Sequence, residues 1–401
     1  MQKLDNIMRV LHIIASVSAK RGGPSQAALQ LCGSQRKSGI DAIIATTNDD
    51  GASKLQVQLG NETEYSGAKC IFFDRLATRI RAVHEFGVST ELKRWLRSNA
   101  SQYDIAHVHG IFSYAPSVGM KVLRQRNVPY FVRPSGLLGE WALKQSPLRK
   151  KAFLLAADRA NLNGSAAIEY KSDLEKEEAQ HLQLKAPTVV IPYGLPIPTI
   201  IPDATTRLKQ KFKLPRKQRI LLFMSRLHHK KGVDRLISAF HDASPPNVTL
   251  LIAGGTGDMY DHYLQDLAKR GAASASIIFC GFVSGEMKQV CLQGSDAFVL
   301  PSASESFGIA VAEAIAAGTP VIISPQVPLS KFVEKHNLGW IAPPSVASVT
   351  HAILKAFSND SLETFTNTRE HGRDYVNEHF GWNAISDQIS HMYHQHTKQK
   401  T

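Results

Sequence analysis

Ser302-Ala-Ser-Glu-Ser-Phe-Gly-Ile-Ala-Val-Ala-Glu-Ala-Ile-Ala-Ala-Gly318 lies between two apolar runs, residues 296–300 and 320–323. Ile309, Ala312, Glu313, Ala316 and Ala317 recur at helical spacing, Ser304 and Ser306 are residue types that cap helix starts, and Gly318 is a natural stop. The stretch reads as strand, loop, helix, strand, one unit of a parallel sheet with its loop at the carboxyl edge. A helix start there offers unpaired backbone N–H groups to an anion, and Phe307-Gly308 lets backbone approach a phosphate closely. On one helix, Glu305 and Glu313 would have Cα atoms about 12 Å apart. The paired carboxyls of a retaining glycosidase sit about 5 Å apart, so the spacing suits two carboxylates gripping different hydroxyls of one extended ligand. Glu305 could equally complement a helix dipole, with Glu313 on a solvated face.

Upstream of this stretch the same alternation repeats. Residues 219–225, 248–253 and 277–282 read as strands, with helices over 234–243 and 260–270, which predicts a doubly wound parallel sheet with right-handed crossovers. Ser225-Arg226-Leu-His-His-Lys-Lys231-Gly232 brings two cations to the carboxyl end of the first of these strands. Arg226 could fork onto phosphate oxygens and Lys231 add a compact charge, or the loop could simply be basic. Gly254-Gly255-Thr-Gly257 fails the dinucleotide fingerprint because Tyr260 occupies the last glycine position, and no P-loop is present.

The N-terminal half opens on an apolar run, 8–17, followed by Ser18-Ala-Lys-Arg-Gly-Gly-Pro-Ser25 and a helical pattern over 25–32. Gly22 and Gly23 permit either a phosphate or sugar contact or a plain tight turn. Residues 41–47 and 69–73 read as further strands. Arg75, Arg79 and Arg81 alternate with Leu76, Ile80 and Val83, the pattern of an amphipathic helix with a basic face that is either solvated or laid on an anionic bilayer. Tyr103-Asp-Ile-Ala-His107-Val-His109-Gly is a strand whose two histidines share a face; no third metal ligand is signalled. Residues 128–133 form the next strand, and Pro134-Ser-Gly136-Leu-Leu-Gly139-Glu140-Trp141 leads into a helix. Arg149, Lys150 and Lys151 follow as a basic patch, solvated or docked near a lipid diphosphate.

A chain of 401 residues exceeds one ordinary core and predicts two domains. Residues 185–202 carry prolines at 187, 192, 196, 198 and 202 and read as a stiff junction around a short strand, 189–192. The expected division is 1–198 and 199–383, with helical patterns over 346–357 and 361–396. Net charge is +13, pointing to an anionic partner: a nucleotide diphosphate, an anionic membrane surface or nucleic acid. No aromatic stacking cluster or nucleic-acid motif accompanies the charge, so specific nucleic-acid binding is not expected. Cys32, Cys70, Cys280 and Cys291 are scattered and read as reduced thiols. With no membrane-length apolar stretch or signal cleavage pattern, a cytoplasmic protein is expected, at most peripheral on a membrane.

The segment from Glu305 to Glu313, continuing Ala-Ile-Ala-Ala-Gly-Thr-Pro-Val-Ile, resembles the E-x7-E signature of retaining glycosyltransferases of family 4. The resemblance implies the GT-B fold: two facing Rossmann-like α/β domains with a cleft between them, and a last helix, 384–401, crossing back to the first domain. By the same resemblance Glu313 holds the ribose of a sugar nucleotide, Glu305 contacts the sugar ring, and Arg226 and Lys231 take the diphosphate. The loop Glu305-Ser306-Phe307-Gly308-Ile309, the Gly22-Gly23 loop, and Phe282 and Val283 would complete the donor site. His109 would lie near the transferred sugar, making His109, Arg226, Lys231 and Glu305 the catalytic set. Pro134-Ser135-Gly136 and the Trp-Ala-Leu helix are similar to a subset of the family working on bacterial surface polysaccharides. Ser135, Gly136 and Glu140 would then face the acceptor, although Ser135 stands where that subset more often has Arg or His, and Tyr193-Gly194-Leu195-Pro196 departs from the family's usual junction. The implied activity is metal-independent hexosyl transfer, glucose from UDP-glucose, to a saccharide or lipid-linked saccharide, with no cofactor. The competing expectations are a UDP-sugar epimerase of the same fold and a non-catalytic sugar- or nucleic-acid-binding protein.

Overall fold

The computed structural model describes residues 7–78, 80–144, 148, 150, 153–154, 158–255 and 259–397. Arg79, Arg149 and Lys151 of the basic stretches, Gly257 of the glycine run and residues 398–401 lie outside them, as does the side chain of Arg81. The chain forms two compact units, Met1–Gly194 with Trp382–Thr401, and Leu195–Gly381. No helix among the described residues is long and apolar enough to cross a membrane.

The first unit contains strands β1 (Arg9–Ser16), β2 (Asp41–Thr47), β3 (Asp49–Asp50), β4 (Ser53–Lys54), β5 (Glu62–Tyr65), β6 (Ala68–Phe73), β7 (Ile105–His109), β8 (Tyr130–Arg133), β9 (Ala167–Tyr170) and β10 (Thr188–Val190). Its main sheet runs β10-β9-β8-β7-β1-β2-β6-β5, parallel except where β5 pairs antiparallel with β6. β5 escapes a sequence reading because Glu62-Thr-Glu-Tyr65 is half exposed and carries no apolar run. Both sheet faces are covered, as a parallel sheet requires. Leu11 and Ile13 of β1 pack into one core, while Val10 and Ile14 pack into the other with Leu31, Cys32, Ile385, Ile389 and Tyr393. His12 alternates onto that second face, as strand geometry dictates.

The helix after β1 spans Gly23–Lys37 and has Pro24 in its first turn, where a missing N–H costs nothing. Arg75 does not sit on a basic amphipathic helix. It is buried, bonded to Asp49 and to Gly51 O at 2.8 Å, and the helix that follows covers only Arg81–Phe86. Lys150 is likewise turned inward, with Nζ 2.6 Å from Ala142 O and over the Phe112 ring.

The second unit contains β11 (Arg219–Met224), β12 (Val248–Ala253), β13 (Ile277–Gly281), β14 (Ala297–Leu300), β15 (Val321–Ile323) and β16 (Gly339–Ile341), in the order β13-β12-β11-β14-β15-β16. All its pairings are parallel. The long helical pattern near the C-terminus is two helices, Leu362–Phe380 and Trp382–Thr397. Gly381 leaves the helical region, and a Cβ there would overlap Asn377 O. The second of these helices belongs to the first unit, where Trp382 Nε1 donates to Gln30 Oε1 at 2.5 Å.

Candidate functional site

Each sheet reverses its winding once, between β1 and β7 in the first unit and between β11 and β14 in the second. The loops that leave the carboxyl ends of the two flanking strands diverge there, and the crevice so formed is where open α/β sheets take ligands. Gly22 and Gly23 follow β1 and His109 ends β7 at the first of these points, and Arg226, Lys231 and Glu305 to Ile309 follow β11 and β14 at the second, whereas Ser135, Gly136 and Glu140 follow β8, and Phe282 and Val283 follow β13 at the sheet margin.

In the second unit, β11 leads into Ser225-Arg226 and the 3-10 turn His229–Lys231, closed by Gly232 in the left-handed region. A Cβ on Gly232 would press on Pro301 O, just past the end of the neighbouring β14, so the two loops approach through glycine. Ala303 N donates to Lys230 O at 2.8 Å and ties them together. Lys231 Nζ reaches Glu305 Oε2 in a close ion pair, and Ser306 N donates to Glu305 Oε1 at 3.1 Å. Arg226 is exposed, and its guanidinium makes no hydrogen bond or ion pair among the described residues.

The helix begins later than its serines suggest. It spans Ile309–Ala316, its N-cap is Gly308 at φ 94°, and neither Ser304 nor Ser306 caps it. Glu305 is therefore a loop residue and only Glu313 is helical, so the distance argument for two carboxylates on one helix does not apply. Phe307 is buried and meets Phe380 edge-on at 5.5 Å, which anchors the loop against the helix ending at that residue. Glu313 is paired with Lys288 at 2.6 Å. Lys288 lies on the helix Gly285–Gly294 and carried no motif; only folding brings it to Glu313. Phe282 projects from the end of β13 and is 83% exposed, with Val283 partly covered beside it. Gly254, at the end of β12, has φ 144°, and a Cβ there would overlap Ser225 O. That glycine serves close packing between strand ends, and Gly255 is exposed.

In the first unit, Gly22 (φ 84°) caps the Gly23–Lys37 helix, and both glycines are exposed. The cations of this loop are already engaged: Lys20 with Asp50 at 2.6 Å and Arg21 with Asp49 at 2.5 Å. His109 closes β7, ahead of Gly110 at φ 81°. Ser135 and Gly136 follow β8 with φ of 58° and 81°. Ser135 Oγ lies 3.2 Å from the Tyr193 hydroxyl, and Gly136 N donates to Glu175. Tyr193 has the Arg133 guanidinium 5.2 Å from its ring centroid and Lys171 Nζ at 4.9 Å. Glu140 is exposed on the short helix Glu140–Lys144 and pairs only loosely with Lys144, at 3.6 Å.

Beneath His109 the structure holds what the sequence reading lacked. His12 of β1 pairs in register with His107 of β7, and the rings of His12, His107 and His109 stack with centroids 4.4 to 5.7 Å apart. Burial drives all three below the usual histidine range, His12 to about 4, so they are neutral at pH 7. A polar residue interrupting the otherwise apolar β1 was the available signal for His12. Arg133 and Glu169, an ion pair buried at the ends of β8 and β9, had none.

Residues 204–375 match the family model described as Glycosyl transferases group 1, and residues 22–194 match that described as Glycosyl transferase 4-like domain. An uncharacterized glycosyltransferase of Methanocaldococcus jannaschii is 30% identical over 178 residues, 44% of this chain and 45% of that protein. Phosphatidyl-myo-inositol mannosyltransferase of Mycobacterium leprae is 27% identical over 312 residues, 76% of each chain. The chain thus spans less than half of the first relative and about three quarters of the second. Among solved structures, Anabaena HepE in complex with UDP and glucose is similar with a TM-score of 0.75 at 19% identity, covering 97% of this chain and 100% of that one. That likeness shows the fold.

Proposed function

This chain belongs to the family 4 glycosyltransferases of GT-B fold, and from that premise we propose that it moves a hexose, glucose from UDP-glucose, onto a saccharide or lipid-linked saccharide during polysaccharide assembly, with retention and without a metal. The observation that carries the donor site is the Lys231–Glu305 pair across the β11 and β14 loops, beside the unengaged Arg226. A diphosphate placed there meets two cations and the amides of Phe307 to Ile309, which stabilise charge on the leaving oxygen. Lys231 already holds Glu305 at the same edge, so one lysine orients the carboxylate for a sugar hydroxyl while facing the phosphate. Glu313 is in place to accept the two ribose hydroxyls once Lys288 yields. No protein nucleophile is required in this reading, and the leaving phosphate takes the acceptor proton.

The uridine and glucose assignments draw support from Anabaena HepE, which was crystallised with UDP and glucose and with UDP-glucose. A lipid-linked acceptor draws support from the mycobacterial relative, named for phosphatidyl-myo-inositol. Ser135, Gly136 and Glu140 are the residues proposed to face the acceptor, and His109 the transferred sugar. The test is thermal stabilisation of the full chain by a nucleotide panel with EDTA present. UDP and UDP-glucose are expected to raise Tm while ADP, GDP and NAD do not. A flat panel, or a rise abolished by EDTA, would overturn the donor assignment.

A further inference from the structure

A continuous line of buried polar groups connects His109 to an ion pair in the core of the first unit. Glu169 accepts from Arg133 through Oε1, and its Oε2 lies 3.0 Å from His107 Nε2. His107 Nδ1 is 2.6 Å from the Tyr393 hydroxyl. The Gln35 side chain engages the same hydroxyl, which burial keeps protonated, while Gln35 Oε1 is 2.7 Å from His12 Nε2. His12 Nδ1 is 2.9 Å from His109 Nε2. His12, Gln35, His107, Glu169 and Tyr393 are fully buried, and Arg133 and His109 nearly so, which leaves water little part in the proton arrangement.

The direction of every link follows from its neighbour. A carboxylate only accepts, and a neutral imidazole has one donor and one acceptor nitrogen. Glu169, held by Arg133, therefore faces the N–H of His107 Nε2; two lone pairs 3.0 Å apart would repel, even though the angle is poor for a good hydrogen bond. His107 Nδ1 then accepts, so the Tyr393 hydroxyl donates to it. The phenol oxygen is left as acceptor and faces the Gln35 NH2 group, without meeting ordinary hydrogen-bond geometry. Gln35 Oε1 consequently faces His12 and takes its Nε2 proton. His12 Nδ1 accepts in turn, and His109 must donate from Nε2.

We propose that Gln35, His12 and Tyr393 are positioning residues that hold His109 in one tautomer, protonated at Nε2 and bare at Nδ1, so that His109 presents a hydrogen-bond acceptor at the carboxyl end of β7. The use of that acceptor, to receive a hydroxyl of the transferred sugar, rests on the transferase reading; the tautomer does not. Nε2 carries the only side-chain hydrogen bond His109 makes among the described residues, which leaves Nδ1 to a ligand. The helix Gly23–Lys37 supplies Gln35 and the helix Trp382–Thr397 supplies Tyr393, so both helices that cover this face of the sheet contribute to the setting.

The ring nitrogens of His12, His107 and His109 also lie within 4.8 Å of one another, a clustering that can suit a metal ion. Each nitrogen that points inward is already committed: one proton lies between His12 and His109, and the others face Gln35, Tyr393 and Glu169. A metal would have to displace that proton, which makes zinc a direct challenge to the arrangement.

The test is two-bond 1H–15N spectroscopy of the full chain labelled with 15N-histidine, the His109 signals being assigned with His109→Asn. The expected spectrum has His109 protonated at Nε2 alone. Gln35→Leu and Tyr393→Phe should each admit the Nδ1-protonated form and lower kcat for transfer about tenfold, with the donor KM little changed. A wild-type His109 protonated at Nδ1, an unaltered tautomer in folded Gln35→Leu, or one equivalent of Zn2+ shifting all three histidines would overturn the proposal. Should the variants fail to fold, the wild-type spectrum alone decides. The expected tautomer in a protein that no UDP-sugar stabilises would support the proposal and reject the donor reading.

Discussion

Lys231 and Glu313 are partly exposed side chains whose partners are single opposite charges, Glu305 and Lys288. Replacing either removes no core contact, so Lys231→Ala and Glu313→Ala are each expected to melt within a few degrees of wild type while losing most donor turnover, by at least about a hundredfold in kcat/KM. Wild-type turnover in both would reject the donor assignment. The buried histidines make a second prediction. Their folded-state affinities for protons are depressed, His12 to about 4, against about 6.5 unfolded. Between those values the unfolded chain binds protons that the folded chain refuses, so stability falls as pH drops from about 6.5 towards 4, by on the order of 1 kcal/mol per unit for each such histidine. Melts at pH 7.5 and pH 5.0 should show a marked drop; a His12→Gln variant that folds should lose part of the pH dependence. The acidic pair and the basic loop could be read from the chain because their residues are close in sequence and belong to a known motif. Lys288, Gln35, Glu169 and Arg133 could not, since nothing local distinguishes a lysine or a glutamine that folding brings to a site.

The helix that follows β14 illustrates the element scale. Its apolar periodicity located it, but the start was placed by serines that do not cap, because Gly308 at φ 94° satisfies the turn without a side chain. Glycines differ for the same reason: what matters is what surrounds them. Gly254 and Gly232 face backbone oxygens of adjoining segments, whereas Gly22 has open space around it. Gly254→Ala is thus expected to lower Tm well beyond Gly22→Ala, whose cost is confined to a positive φ, about 1 kcal/mol. Equal losses in calorimetry would contradict this packing account. The alternation of strands and helices from β11 to β15 was largely legible, since buried parallel strands are short apolar runs, but the helices Gly285–Gly294 and Ser330–Lys335 and the strand β16 escaped it. The edge strand β5 was not, being half polar, and neither was the break at Gly381, where a helical pattern continues on both sides of one non-helical residue.

At the scale of the whole molecule, each unit has a sheet of its own, but only the second is continuous in sequence. Residues 195–381 made alone are expected to fold cooperatively. Residues 1–194 made alone are not, because Ile385, Ile389, Met392 and Tyr393 complete the core over β1 and β2. Circular dichroism and melting of the two fragments check this, and a cooperative melt of 1–194 would show the last helix to be dispensable. Composition, alternation and the acidic motif were enough to determine an α/β chain of two sheets and to mark the carboxyl edge of β14, because those signals are local and repeat with the period of their element. The three-histidine stack, its link to a buried ion pair and the lysine on Glu313 were decided only by tertiary structure. Each joins residues far apart in the chain, and burial, which fixes their protons and their partners, is a property of the folded neighbourhood and not of any segment.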